Sequence, residues 1–183
     1  GTTLLPVQRI PGLTVTILES NMIILRPKQV TPANFARFGS VVTAPQTAPT
    51  SQAADYKFWS DLAHYRIDGE TEIGICTVYH MPVSIITEVE RHEHTPEILI
   101  PINAPFALPL LRDGDSVEQA ELFRVGIGEA VVIDAGIWHG PCLPIGCANS
   151  SYFVIFARRT PHTDVRKKEI SPIEIMQKGQ DRG

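Results

Sequence analysis

Cysteine is scarce in this chain: Cys76, Cys142 and Cys147 are the only three among 183 residues, and no C-x-x-C pair occurs. An odd, scattered set closes no disulfide framework, so the fold has to be held by its core. Reduced thiols in a reducing compartment are the simpler expectation. Long apolar runs are missing too. Nothing approaches the roughly 20 residues that a membrane-spanning helix needs, and the opening residues lack the basic-then-apolar order of a signal peptide. A soluble, cytoplasmic protein without a membrane partner is expected. Positive charge is not in excess: 16 Lys and Arg against 20 Asp and Glu leave a formal charge of −4. With no basic stripe interleaved with aromatics, nucleic acid is not an expected partner either. A small-molecule substrate remains.

What is present is turn chemistry and β-branched sequence. The 15 prolines and 13 glycines suit short strands joined by turns better than long helices, and 43% hydrophobic residues suffice for a packed core. Strands are expected at Ser40 to Thr43, Ile73 to Met81, Val83 to Arg91, Glu97 to Ile102, Phe106 to Leu111, Glu121 to Val125, Ala130 to Ile133 and Tyr152 to Ala157. Several are apolar on both faces, which indicates burial between two sheets. One short helix is expected over Pro32 to Arg37, because Thr31 can cap it, Pro32 fits its first turn and Gly39 follows the last apolar residue. The fold class is therefore all-β, a sandwich or barrel with one short N-terminal helix. The expected organisation is an N-terminal extension over residues 1–22 with an edge strand at Leu13 to Leu18. A single β domain over 23–160 follows, then a charged tail over 161–183 with a possible short element near Ile173 to Met176. Ala44 to Ala54, rich in Pro, Thr, Ser and Gln, is expected to be an exposed loop.

Chemistry concentrates in two places. The first is Glu90-Arg91-His92-Glu93-His94-Thr95-Pro96-Glu97. If this segment is a strand, His92 and His94 point the same way with Cα atoms about 6–7 Å apart, and two such imidazoles can share one metal ion at roughly 2.0–2.1 Å each. Thr95-Pro96 turns the chain, so Glu97 can swing back to the same point. The second runs from Gly128 through Gly136 to His139 and places His139 at the start of a strand. Alone, an H-x-H pair is more often two solvated residues on an edge strand; the four residues together favour a metal site. The expected ligands are His92, His94, Glu97 and His139, and the expected acid–base groups are Glu97, His139 and Glu90. Glu90 could equally orient an imidazole or be an ordinary exposed carboxylate. Arg91 alternates away from His92 and reads as an outer salt bridge. His64, His80 and His162 have no partners at ligand spacing, and His80, on an apolar strand, reads as a core histidine. Lys57, Tyr65 and Arg66 lie where they could cover the mouth of a barrel.

These two segments resemble the paired motifs of the cupin superfamily, H-x-H followed by Glu, then Gly, five residues, Pro-x-Gly, two residues and His. The gap from His94 to Glu97 is one residue shorter than the common spacing, Asp134 stands for the usual proline, and Leu143 for a frequent asparagine. More narrowly, the chain is similar to the ureidoglycolate lyase family. The likeness runs through Leu25-Arg26-Pro27, Thr31-Pro32, Phe35, Phe38-Gly39 and Val42, then Glu90-Arg91-His92, Ile100-Pro101 and Ile137-Trp138-His139-Gly140-Pro141. Members of that family tend to carry glutamine at the position of Glu97 and lack a histidine at that of His94. The resemblance implies a double-stranded β-helix, a homodimer, and a lyase that splits ureidoglycolate into glyoxylate and urea in allantoin and purine catabolism. A divalent ion (Zn, Ni, Mn or Fe) would assist. A different metal cupin, either a sugar isomerase or a dioxygenase, or a non-catalytic ligand-binding cupin, is the alternative.

Overall fold

The computed structural model describes residues 22–176. Fifteen strands and two short helices follow one another. They are β1 (Ile23–Leu25), β2 (Lys28–Gln29), α1 (Pro32–Phe35), β3 (Gly39–Val42), β4 (Ser51–Gln52), β5 (Lys57–Phe58), β6 (Thr71–Tyr79), β7 (Ile85–Arg91) and β8 (Glu97–Pro101). After them come β9 (Phe106–Leu111), β10 (Glu121–Val125), β11 (Ala130–Ile133), β12 (Trp138–His139), β13 (Leu143–Pro144), β14 (Asn149–Ala157), α2 (Thr160–Thr163) and β15 (Arg166–Ile175). The expected edge strand at Leu13 to Leu18 and nearly all of the expected extension lie outside the described residues.

Two sheets face each other. One has eight strands in the order β1-β15-β7-β12-β9-β10-β2, with β13 also paired to β9; the other has five, β3-β11-β8-β14-β6. Between them lies the core, where inward residues of each strand alternate with outward ones. Phe35, Phe38 and Phe123 meet edge to face at 5.2–6.1 Å and close one end of it. Phe106, Leu108, Leu110, Leu99 and Val131 fill the middle. All six residues of β9 are buried, because a second apolar layer covers the outer face of the larger sheet: Ala107, Leu111, Trp138, Ile86, Ile173 and Ile175. Those strands are apolar on both faces for this reason.

That second layer corrects the expected tail. Residues 166–175 form β15, antiparallel to β7, with Lys167 opposite Glu90 and Ile173 opposite Ile86 across a bulge. Its charged half lies over a charged stretch of β7 (Lys167 Nζ donates to Glu88 at 2.8 Å), while Ile173 and Ile175 are buried. A run of charged residues, Arg166 to Glu169, at one end of the strand hid the apolar residues that dock its other end. The helix is shorter than expected, ending at Phe35, and it starts as expected: Thr31 and Asn34 cap each other reciprocally. The exposed loop after β3 folds back as the β4–β5 hairpin, tied by Trp59 Nε1 donating to the Thr47 carbonyl at 2.9 Å. On the outer face of the smaller sheet, Ile73, Ile75 and Tyr79 of β6 and Phe153 of β14 remain exposed, an apolar strip.

Gly39 begins β3 at a φ of +147°, and a Cβ there would stand 1.9 Å from the Val132 carbonyl oxygen of the paired strand β11. No side chain fits without parting the two strands. Gly39→Ala is expected to lower unfolding free energy by at least about 3 kcal/mol, measured by chemical denaturation; a loss below about 1 kcal/mol would show that β3 and β11 separate easily.

Candidate metal centre

Strand β7 ends at Arg91, and the chain leaves it at His92. The His92 carbonyl accepts the Gly136 N–H at 2.7 Å, so the turn carrying Gly136 is stitched to the residue that precedes the loop. Gly136 takes φ +84°, the left-handed conformation that lets the chain reverse after β11 and deliver His139 into β12. His139 lies opposite Glu90 of β7 and Leu110 of β9. Glu97 is the first residue of β8, opposite Ile133 at the end of β11. Three separate strand ends thus converge.

The polar atoms meet closely. Glu97 Oε2 is 3.2 Å from His139 Nε2 and 3.7 Å from His92 Nε2, and the two rings lie 5.2 Å apart between centroids. One ligand atom from each of Glu90, His92 and His139 lies within 4.8 Å of the others. Neither Glu97 Oε2 nor His139 Nε2 has a hydrogen-bond partner, although both are buried. Buried polar atoms are almost always satisfied, so an unpaired set facing one point calls for a further group. Donors about 2.0–2.2 Å from a common ion stand roughly 3.0–3.6 Å from each other, and these separations lie close to that range. The cluster is compatible with a divalent metal.

The tautomer of His92 agrees. Its Nδ1 is 2.7 Å from the backbone carbonyl oxygen of Asp164, which can only accept, so Nδ1 carries the proton and Nε2 offers its lone pair. Burial, helped by neighbouring His92, pushes the His139 pKa well below the usual range, so its ring is neutral at pH 7. Burial pushes the Glu97 carboxyl up to about 7, with His92 opposing and Glu90 adding to the rise. The close Glu97–His139 contact is therefore not an ion pair of fixed charge.

His94 is the correction at this site. It stands beyond the end of β7, where the two-residue alternation of a strand no longer holds, and its side chain is 79% exposed. Its Nδ1 faces Asp164 Oδ1 at 3.1 Å, and the same carboxylate accepts the backbone N–H groups of Glu93 and His94 at 2.9 Å each. Asp164 thus grips the loop with its side chain and orients His92 with its carbonyl. Nothing in the sequence marked it, since it lies in no motif and acts only across the fold. Arg91 points outward as expected, 2.9 Å from Asp113 and stacked on Trp138 at 4.4 Å. His80 is exposed at the end of β6 instead of packing in the core, and His64 and His162 are exposed as well. Lys57, Tyr65 and Arg66 are exposed and line neither cavity beside the centre; Arg66 pairs with Asp68 at 2.8 Å.

Two cavities open on the centre and share Glu90, His139 and Pro141. One, of about 320 Å³, runs into the barrel past Glu97, Cys142, Tyr152 and Phe156. The other, of about 360 Å³, opens beside β7 past Thr87, Val89 and Lys167. A ligand in the first would touch Glu97, His139 and Glu90 together.

Two facing, curled, mostly antiparallel sheets around an interior histidine–carboxylate centre define a cupin-type jelly-roll barrel. A ureidoglycolate lyase family model matches residues 22–176, and the chain belongs to that family. Among solved structures it is similar to peruvianin-I, a cysteine peptidase from Thevetia peruviana latex, at 13% identity over 55% of this chain and 56% of that one, with a TM-score of 0.41. It is also similar to an oxalate decarboxylase from Bacillus subtilis, at 18% identity over 52% of this chain and 23% of that one, TM-score 0.40. The oxalate decarboxylase of Lactobacillus farciminis in complex with formate shares 14% identity over 52% and 26%, again at 0.40. The chain thus spans between about a quarter and a half of those molecules. No curated protein matches it.

Elemental analysis of protein purified without chelators should find a divalent metal in the wild type and lose it in His139→Ala, while His94→Ala keeps it. Equal loss in both variants would place His94 among the ligands after all. A second expectation concerns pH. Glu97 binds its proton more tightly folded, at about 7, than unfolded, at about 4.5, so its contribution is present below 4.5 and is lost as pH rises through 7. Glutamine escapes that loss. Chelator-treated Glu97→Gln is expected to exceed the wild type by about 2–3 kcal/mol at pH 8 and to match it near pH 4.5, by urea denaturation. A pH-independent difference would contradict the buried carboxyl.

Proposed function

We propose that this chain is a metal-assisted ureidoglycolate lyase. The observation that carries the reading is the family match over residues 22–176 together with a buried histidine–carboxylate cluster at the wall of an interior cavity. His92, Glu97 and His139 would hold the ion, with Glu90 beside them. Once bound, a divalent ion supplies Lewis acidity, which lowers the pKa of a hydroxyl and neutralises a carboxylate.

The substrate carries a hydroxyl, a carboxylate and a ureido nitrogen on one carbon. Its cleavage to glyoxylate and urea moves one proton from oxygen to nitrogen while the C–N bond breaks and a C=O bond forms. Glu90 would carry that transfer. It faces His139 across the β7–β12 pair and borders both cavities, so its carboxylate can take the hydroxyl proton and return it to the departing nitrogen. Phe156 and Tyr152 wall the cavity on the side away from Glu90 and would give the substrate an aromatic surface to pack on. His92, held by the Asp164 carbonyl, fixes the geometry of the cluster.

One feature favours a different metal cupin, an isomerase or dioxygenase: Glu97 is a carboxylate where members of the family tend to carry glutamine. Oxygen consumption by iron- or manganese-loaded protein would support that alternative. The resemblance further implies a homodimer, and the exposed strip of Ile73, Ile75, Tyr79 and Phe153 supports one.

Purified protein given ureidoglycolate is expected to release glyoxylate faster than the spontaneous background. Chelation should abolish this and added metal restore it. Glu90→Gln should lower kcat by about 100-fold or more, with metal content unchanged. Release no faster than background would end the reading.

A further inference from the structure

The wall of the barrel cavity away from the metal cluster has its own chemistry. Strand β6 turns Ile73 and Ile75 outward and therefore Glu72, Gly74 and Cys76 inward, facing Phe156, Val154 and Tyr152 of β14. Glu72 borders the cavity; its Oε2 accepts the Arg159 N–H at 3.0 Å, and among the described residues its other carboxylate oxygen has no hydrogen-bond partner. At Gly74 an added Cβ would meet nothing within 4 Å, so glycine leaves a notch in the wall between Glu72 and Cys76. Tyr152 is only 6% exposed, and its hydroxyl has the thiols of Cys76 and Cys142 as side-chain partners. Thiols are weak acceptors, so a ligand carbonyl oxygen at the cavity edge would be a better partner for this O–H.

Charge points the same way. Three carboxylates line this cavity, Glu72, Glu90 and Glu97, and among the described residues no lysine or arginine does. An ion at the cluster offsets Glu90 and Glu97 and leaves Glu72 as the uncompensated charge of the far wall. A second anion there would be repelled, whereas N–H donors would meet Glu72 and a carbonyl oxygen would meet the Tyr152 hydroxyl.

We infer that Glu72, the Gly74 notch and Tyr152 form a distal subsite for a planar, donor-rich end group, ureido or better guanidino, and exclude a second carboxylate. The inference rests on the proposed function only for placing the ligand's carboxylate at the metal cluster. A cationic guanidino group adds attraction to Glu72 that a neutral ureido group lacks.

Three compounds that lack the hydroxyl, and so cannot be cleaved, read this wall alone: ureidoacetate, guanidinoacetate and succinate. Calorimetry on the full chain supplemented with manganese(II) is expected to rank guanidinoacetate about tenfold tighter than ureidoacetate, and succinate weakest. Glu72→Gln keeps the acceptor for the Arg159 N–H and should bring the guanidino-to-ureido ratio close to one. Gly74→Val should fill the notch and abolish binding of all three while metal content stays the same. An unchanged ratio in Glu72→Gln, equal binding of succinate, undiminished binding in Gly74→Val, or no binding of any compound by the wild type overturns the inference. Protein that shows this order yet releases no glyoxylate would retain the subsite and lose the proposed reaction.

Discussion

Glu97 and His139 face each other inside the barrel with no hydrogen bond between them, and the rest of the molecule has to hold that arrangement. Burying unsatisfied polar atoms costs roughly 1–3 kcal/mol each, and a core must offset it. The barrel does so from both sides. Phe35, Phe38 and Phe123 pack one end of the interior, and Ile86, Leu111, Ile173 and Ile175 cover the larger sheet from outside. With both faces of β9 buried, the strands that carry the site are held from both sides of the sheet. Unpaired buried polar atoms of this kind call for a functional explanation.

The C-terminal strand is part of the same device. Beginning at Arg166, just after Asp164, β15 pairs along the edge of β7 and adds Ile173 and Ile175 to the apolar layer on the sheet's outer face. Asp164 itself sits where α2 ends, its carbonyl on His92 and its carboxylate on the Glu93–His94 backbone. The loop that carries one imidazole is therefore fixed by residues far along the chain, and the site depends on the docking of β15 as much as on the strands bearing its ligands. A loop held this way also explains the exposure of His94. Once Asp164 takes both backbone N–H groups, the loop leaves the strand geometry that would have kept two histidines on one face.

The interior is chemically divided. At one end, imidazoles and carboxylates crowd together; at the other, Tyr152 and two thiols, Cys76 and Cys142, form a less polar wall, and burial pushes the Cys142 thiol far above its usual pKa. A small molecule bridging the two ends meets acid–base groups on one side and, on the other, the Tyr152 hydroxyl with the Glu72 carboxylate near it. Such a division permits reaction at one carbon while recognition happens at another.

Local sequence determined most of the strands and part of the site. Alternating β-branched runs, bounded by proline and glycine turns, placed β8 to β11 nearly to the residue and β7 and β14 to within two or three, because pleat and turn preferences act over a few neighbours. The spacing through Gly136 to His139, with Glu97 opening a strand, likewise identified three of the groups that converge. Tertiary structure alone decided the remainder. Whether His94 joined His92 depended on a carboxylate 70 residues away, and whether 166–175 was tail or strand depended on apolar partners on β7. Glu72, Tyr152 and Asp164 stand in no motif, and their roles follow from which strands are neighbours. Short-range preferences are written in adjacent residues, whereas long-range contacts exist only once the chain has closed on itself.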